Sequence, residues 1–150
     1  MVTCQAGGKR SSASRLIDVG FDEGNLDVAD ELIASDMVEH QDFGPDHAPG
    51  PEGVKAVIAS LRRAFPDFHL AIDDVAVRDD LVWLRMTGTG TNDGPYMGHE
   101  PTGRPMRTAV LDVLRVDGTR IVEHWGVPDR LGALFQLGLA TPPNRGAARV

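Results

Sequence analysis

Residues 121–138 read IVEHWGVPDRLGALFQLG, and this stretch decides how the chain is expected to fold. Its first half has the β-branched and aromatic residues of a strand, and Pro128 stops the hydrogen-bond ladder. Its second half has the apolar spacing of a short helix, with Gly138 as the C-terminal stop. Asp129 lies between the two. A carboxylate just past a strand end, flanked by apolar residues, is the first candidate for chemistry.

The composition indicates one globular domain. The chain has 150 residues, of which 41% are hydrophobic and 25% charged, which suits a single core. A net charge of −7 opposes binding to nucleic-acid phosphates. No apolar run approaches the roughly 20 residues that cross a bilayer, so no membrane partner is expected. The single cysteine, Cys4, excludes an intrachain disulfide and, without an apolar leader, favours a cytoplasmic protein.

The order of the predicted elements defines the fold class. We expect a flexible N-terminal tail (residues 1–12), a folded domain (13–139) and a flexible C-terminal tail (140–150). The pattern predicts helices at 14–21, 26–33 and 51–64, an extended piece at 37–40, and strands at 68–77, 81–91, 106–116 and 121–127. Helices followed by a meander indicate a single cone-shaped α+β domain, with a curved, mostly antiparallel sheet and N-terminal helices on one face. Such a cone encloses a small-molecule pocket.

Four short motifs carry a resemblance to a known family. They are AFPDF (64–68), GHEPTGR (98–104), VEHW (122–125) and DRLG (129–132). With this order of helices, the chain from about residue 14 to 138 resembles the SnoaL-like polyketide cyclases of the nuclear-transport-factor-two-like superfamily. The resemblance implies an intramolecular aldol condensation of a polyketide-like carbonyl compound, without metal or organic cofactor. It also implies a homodimer. The same fold hosts hydroxylases, epoxide hydrolases, isomerases and binding modules, so fold alone does not settle function.

Asp129 has two alternative roles. It is suited to be the N-cap of the last helix, because an Asp side chain accepts backbone N–H hydrogen bonds there. It also matches the family's acid/base aspartate. A methylene between two carbonyl groups is acidic enough for a carboxylate in an apolar site to deprotonate. The residues alone favour the cap, and the resemblance reverses this preference toward the catalytic role.

Asp112 lies in the middle of a strand that reads AVLDVLR. A charge among apolar residues is costly unless it is paired or hydrogen-bonded. One alternative is a structural ion pair with Arg85 or Arg107. The other is a second catalytic carboxylate in the pocket. Asp112, Asp129 and an arginine would then resemble the Asp-Arg-Asp set of limonene-type epoxide hydrolases, in which one Asp activates water and the other protonates the epoxide. A non-catalytic binding module is a further alternative.

Histidines and aromatic residues are the candidates for contacts with the substrate. The resemblance suggests that His40 faces the cavity, although Glu39 stands before it where some relatives carry Asn. His124 and Trp125 are neighbours on a strand and face opposite sides; if Trp125 shares the cavity face with Asp129, His124 points away. The histidine spacings fit no zinc pattern, so no metal is expected. The other predicted substrate contacts are Phe43, Trp83, Met97, His99 and Met106.

Overall fold

Five strands form one curved sheet. The computed structural model describes residues 2–143, with side chains from residue 7 onward. The strands are β1 (Ile33–Glu39), β2 (His69–Arg78), β3 (Leu81–Thr91), β4 (Pro105–Asp117) and β5 (Arg120–Pro128). They lie in the order β1-β5-β4-β3-β2. The pairs β2–β3, β3–β4 and β4–β5 are antiparallel, and β1 runs parallel to β5. The predicted α+β class and mostly antiparallel sheet are therefore confirmed.

The described residues form four α-helices and one π-helical segment. The α-helices are α1 (Val2–Arg15), α2 (Asp27–Leu32), α3 (Gly50–Ala64) and α4 (Arg130–Leu137), and the last three lie where helices were predicted. The π-helical segment (Leu16–Asp22) follows α1. Helix α3 has Pro51 in its first turn, where its missing N–H costs nothing. Helix α4 ends at Gly138, whose φ of 74° is the left-handed conformation that glycine adopts readily. No helix of residues 2–143 is long and apolar enough to cross a membrane.

The N-terminal part of the domain differs from the prediction. Helix α1 begins at Val2, where a flexible tail was expected, and it continues into the π-helical segment. Three contacts hold α1 on the sheet: Ala13 is buried, the Ser12 hydroxyl donates to the Thr119 carbonyl at 3.0 Å, and Lys9 Nζ donates to the Asp79 carbonyl at 2.8 Å. These are mostly polar contacts to distant residues, and an apolar pattern does not reveal them. Of the predicted C-terminal tail, residues 144–150 lie outside the described part.

Bulges in β2 and β5 change the alternation of side chains along these two strands. In β2, Asp73 is the extra residue, because Ile72 pairs with Met86 and Asp74 with Arg85. In β5, Val122 is the extra residue, because Val116 pairs with Ile121 and Arg115 with Glu123. An extra residue moves every later side chain to the other face. Ile121 and His124 consequently lie on the same face, although they are three positions apart and would lie on opposite faces of a regular strand.

The helices pack against one face of the sheet, called here the inner face. The largest fully buried side chains are Phe65, Ile33, Ile58, Met86, Ile121 and Leu137. The opposite, outer face carries Trp83 and Trp125 and is open in the monomer. The two faces therefore offer a closed environment on one side and a solvent-exposed one on the other.

Candidate active site

A cavity of about 680 Å³ lies between the inner face and the helices. Strand β4 lines it with every second residue: Met106, Thr108, Val110, Asp112 and Leu114. Helix α3 faces this strand with Val54, Val57 and Leu61. The volume lies within the range of small-molecule sites, and a mostly apolar wall with a few polar groups is their usual lining.

Three ionisable side chains meet on the cavity wall. Nδ1 of His124 lies 2.9 and 2.8 Å from the two carboxylate oxygens of Glu39. Nε2 of the same ring lies 3.5 Å from Oδ2 of Asp112. We call these three residues the inner cluster. All three side chains are largely buried, so their mutual charges act with little screening by water.

The inner cluster keeps His124 charged. Burial alone would lower the pKa of the imidazole, but the hydrogen bonds and negative charges of Asp112 and Glu39 raise it to about 9. At neutral pH two carboxylates and one imidazolium leave the cluster with one negative charge. The carboxylates hold opposite nitrogens of the ring and do not converge on one point. Accordingly, no group of three or more His, Cys, Asp or Glu residues in the described part could hold a metal ion.

Asp129 caps the last helix and also lies in the lining of the cavity. It is the N-cap of α4, where its Oδ1 accepts a hydrogen bond from the Gly132 N–H at 2.8 Å. The same side chain lines the cavity, and Oδ2 has no hydrogen-bond partner among the described residues. Its backbone is fixed to β4, because its N–H donates to the Ala109 carbonyl and its carbonyl accepts from the Thr108 hydroxyl. One carboxylate oxygen thus orients the group, and the other is available.

The cavity wall includes six of the ten residues predicted for the site. These are Phe43, Met97, Met106, Asp112, His124 and Asp129. Phe43 and Met97 come from loops at the mouth, and the guanidinium of Arg130 lies 5.5 Å from the centre of the Phe43 ring. These residues were predicted to share one pocket, but the sequence gives no distances between them.

Four predicted contacts lie outside the cavity wall: His40, Trp83, His99 and Trp125. His40 stacks on Trp125 with ring centres 4.7 Å apart, on the outer face. Trp83 shares that face, since Val113 pairs with both tryptophans. His99 lies in the loop after β3, bridged to Tyr96. These positions correct the prediction, and the physical reason for Trp125 is the bulge at Val122, which turns Trp125 outward and His124 inward.

Asp112 has a different partner from the ones considered. Its ionic contact is His124, whereas Arg85 lies 3.6 Å from Asp73. No arginine lies within 4.0 Å of the Asp112 carboxylate in residues 7–143. The Asp-Arg-Asp set of the epoxide-hydrolase alternative is consequently not assembled around Asp112.

Two residues of the site were missed by sequence reasoning. Glu39 holds His124, and Gln41 lies over Gly126, where a side-chain carbon would come within 2.1 Å of its Oε1. The available signal was the Glu-His order, which occurs at 39–40 and again at 123–124. This repeated Glu-His order becomes informative only when β1 and β5 are known to pair in parallel.

The comparisons with known proteins agree with this architecture. The family model described as SnoaL-like polyketide cyclase matches residues 12–137, and the chain belongs to that family. It is 24% identical to the nogalonic acid methyl ester cyclase of Streptomyces nogalater over 84% of this chain and 95% of the relative. Among solved structures, IdmH from Streptomyces antibioticus is 35% identical with a TM-score of 0.75, covering 87% of this chain and 98% of IdmH. TsrD from Streptomyces laurentii is 27% identical with a TM-score of 0.77, over 87% and 98%.

Proposed function

We propose that this protein closes a ring in a polyketide-like carbonyl compound by an intramolecular aldol reaction, with Asp129 as the proton acceptor. The observation that carries this proposal is the position of Asp129 in the lining of an apolar cavity of about 680 Å³, with an Oδ2 that accepts no hydrogen bond from the described residues. The backbone anchors of Asp129 on β4 fix where this oxygen can reach. A carboxylate held in this way is suited to proton transfer at carbon.

The reaction balances without a co-reactant. Asp129 removes a proton from a methylene between two carbonyl groups, and the enolate carbon attacks a ketone carbon of the same molecule. One carbon–carbon bond forms, the ketone oxygen becomes an alkoxide, and a proton returns to that oxygen. The product is an isomer of the substrate. The apolar wall holds the chain in a folded conformation, which replaces a bimolecular encounter by a local one.

The relatives suggest a substrate class. Two of them are named cyclases of nogalonic acid methyl ester and aklanonic acid methyl ester. We propose a neutral polyketide ester of similar size for this chain.

The test uses aklanonic acid methyl ester in D₂O, with products followed by mass spectrometry and NMR. The wild type is expected to exchange the hydrogens of the activated methylene for deuterium. It is also expected to form an isomer whose mass differs from that of the substrate only by the label. Asp129→Asn is expected to lose both by at least about 100-fold, while melting normally, because Asn caps helices as well as Asp. Asp36→Asn removes an exposed carboxylate and serves as the control. A wild type that binds the ester without exchange or closure would favour a binding module instead.

We also propose that two copies pair through their outer faces. Trp83, Leu111 and Val127 lie there and are each more than half exposed. A contiguous apolar patch of this kind is typical of an interface. Val127→Glu is expected to give a monomer in sedimentation experiments, whereas Leu131→Glu, which alters an exposed leucine on α4, should leave the dimer intact. A wild type that sediments as a monomer contradicts this pairing.

A further inference from the structure

We propose that His124 is the acid of ring closure: its Nε2–H donates to the ketone oxygen under attack and transfers its proton there as the carbon–carbon bond forms. This rests on the proposed function, in which Asp129 is the base. His124 then touches the reacting atoms directly. Glu39 and Asp112 act through it as positioning residues.

The ring of His124 is fixed from one side. Both carboxylate oxygens of Glu39 lie within 2.9 Å of Nδ1, and Glu39 itself accepts the Gln41 N–H at 2.8 Å. The parallel register places Glu39 opposite His124 on the neighbouring strand. The Nδ1–H is therefore fully used, and Nε2 is the nitrogen that remains for chemistry in the cavity.

The other nitrogen is held loosely. Its distance of 3.5 Å to Asp112 Oδ2 is longer than an ordinary N–H···O hydrogen bond and longer than the contact between Nδ1 and Glu39. Gly126 leaves room beside Nε2, and the side-chain oxygen of Gln41 lies in that room, because a side-chain carbon at 126 would be 2.9 Å from Nε2 and 2.1 Å from Gln41 Oε1. An acceptor oxygen of the substrate approaches Nε2 here by taking the place of Gln41 Oε1.

The charge of the inner cluster defines the acceptor. His124 enters the reaction as an imidazolium, since Glu39 and Asp112 raise its pKa to about 9 despite burial. The two carboxylates leave one net negative charge, which repels a carboxylate ligand. A neutral carbonyl oxygen fits, and it becomes a strong acceptor only as negative charge develops on it in the transition state.

The positions of the acid and the base suit one substrate. About 13 Å of strand separates His124 from Pro128, the neighbour of Asp129. The side chains at both ends face the same cavity. The room between them can hold a reacting methylene and the ketone that it attacks. The proton lost by His124 is regained from water, and the proton on Asp129 returns to water, so no net proton is consumed.

The first test needs no natural substrate. 1-Tetralone labelled with ¹³C at its carbonyl is bound to the wild type, and its carbonyl shift is followed from pH 6 to pH 11 beside the imidazole nitrogen signals of His124. We expect a downfield carbonyl shift that disappears with the same midpoint as His124. A carbonyl shift equal to that of free tetralone, or constant while His124 titrates, overturns the proposal. This measurement on the wild type does not depend on how any variant folds.

The second test separates this inference from the proposed function. His124→Gln is expected to keep deuterium exchange at the methylene within about threefold but to lose ring closure by about 100-fold. Glu39→Gln should move the alkaline limb of closure to lower pH, which a merely structural role would not do. His40→Gln, on the outer face, is the matched control and should change neither step. Absence of deuterium exchange in the wild type contradicts Asp129 as the base. If the wild type exchanges and His124→Gln closes the ring at the same rate as the wild type, His124 is not the acid.

Discussion

Strands β1 and β5 each carry a glutamate followed by a histidine, and their parallel register joins the four residues crosswise. Glu39 and His124 form the inner pair, which faces the cavity, and His40 and Glu123 form the outer pair. Both pairs have a closest contact of 2.8 Å. The inner side chains are 14% and 15% exposed, whereas the outer ones are 39% and 23% exposed.

The surroundings of the two pairs differ more than their geometry. The inner histidine has a carboxylate near each nitrogen, and its pKa rises to about 9 against the effect of burial. The outer glutamate is shared with Arg115, 2.7 Å away, whose hydrogen bond lowers the pKa of Glu123, with His40 contributing. Water screens the outer pair, and exposed ion pairs contribute little to stability. The same two residue types thus form a charged donor in one place and an ordinary surface contact in the other.

The largest expected effect is on the inner pair. Glu39→Gln should lower the free energy of unfolding by about 3 kcal/mol at pH 7, because breaking a buried pair leaves a charge without its partner. Asp112 still faces the ring, which keeps the expected loss of stability at the lower end of the range for broken buried ion pairs. Glu123→Gln, the matched change on the outer face, should cost much less. Urea unfolding measures both, and equal losses would contradict the difference between the two faces.

The pH dependence of stability should follow the inner histidine. Its pKa is about 9 in the folded protein against 6.5 in the unfolded chain. The stabilisation is therefore complete below pH 6.5 and is lost as pH rises through 9, by at most about 3 kcal/mol. Urea unfolding between pH 6 and 10 should show this decline in the wild type and in His40→Gln. A decline that persists unchanged in His124→Gln would assign it to other groups.

A smaller effect is expected from added volume beside His124. Gly126→Ala puts a carbon 2.1 Å from Gln41 Oε1 and 2.8 Å from His124 Cε1, and overpacking of this kind costs about 1–3 kcal/mol. Leu131→Ala, at an exposed position on α4 that lies outside the outer face, should stay within about 0.5 kcal/mol of the wild type. Thermal unfolding compares the two variants. An unchanged melting temperature for Gly126→Ala would show that Gln41 and His124 move away from the added carbon without cost, which contradicts this prediction.

Salt should have the smallest effect and should distinguish the faces. The Debye length falls from about 8 Å to about 3 Å between 0.15 and 1 M salt, which screens exposed pairs far more than buried ones. The stability difference between the wild type and Glu123→Gln should vanish in 1 M NaCl, while that for Glu39→Gln should persist. Loss of both differences would indicate that water reaches the inner cluster.

The sequence predicted local structure better than contacts between residues that are distant in the chain. Strand β3 was predicted at its observed bounds. Asp112 and Asp129 were recognisable from a charge within an apolar strand and a carboxylate at a strand–helix junction. Glu39 was not, because its partner lies 85 residues away and is set by a parallel pairing. Helix α1 was missed because polar contacts hold it.

The extra residue in β5 determines which side chains of the last hairpin face the cavity. Deleting Val122 would reverse the alternation along the rest of the strand, so that Trp125 would turn toward the cavity and His124 toward solvent. No residue would have been substituted, yet an imidazole would leave the cavity wall and an indole would enter it. A gap of one position in this hairpin therefore changes which side chains line the cavity.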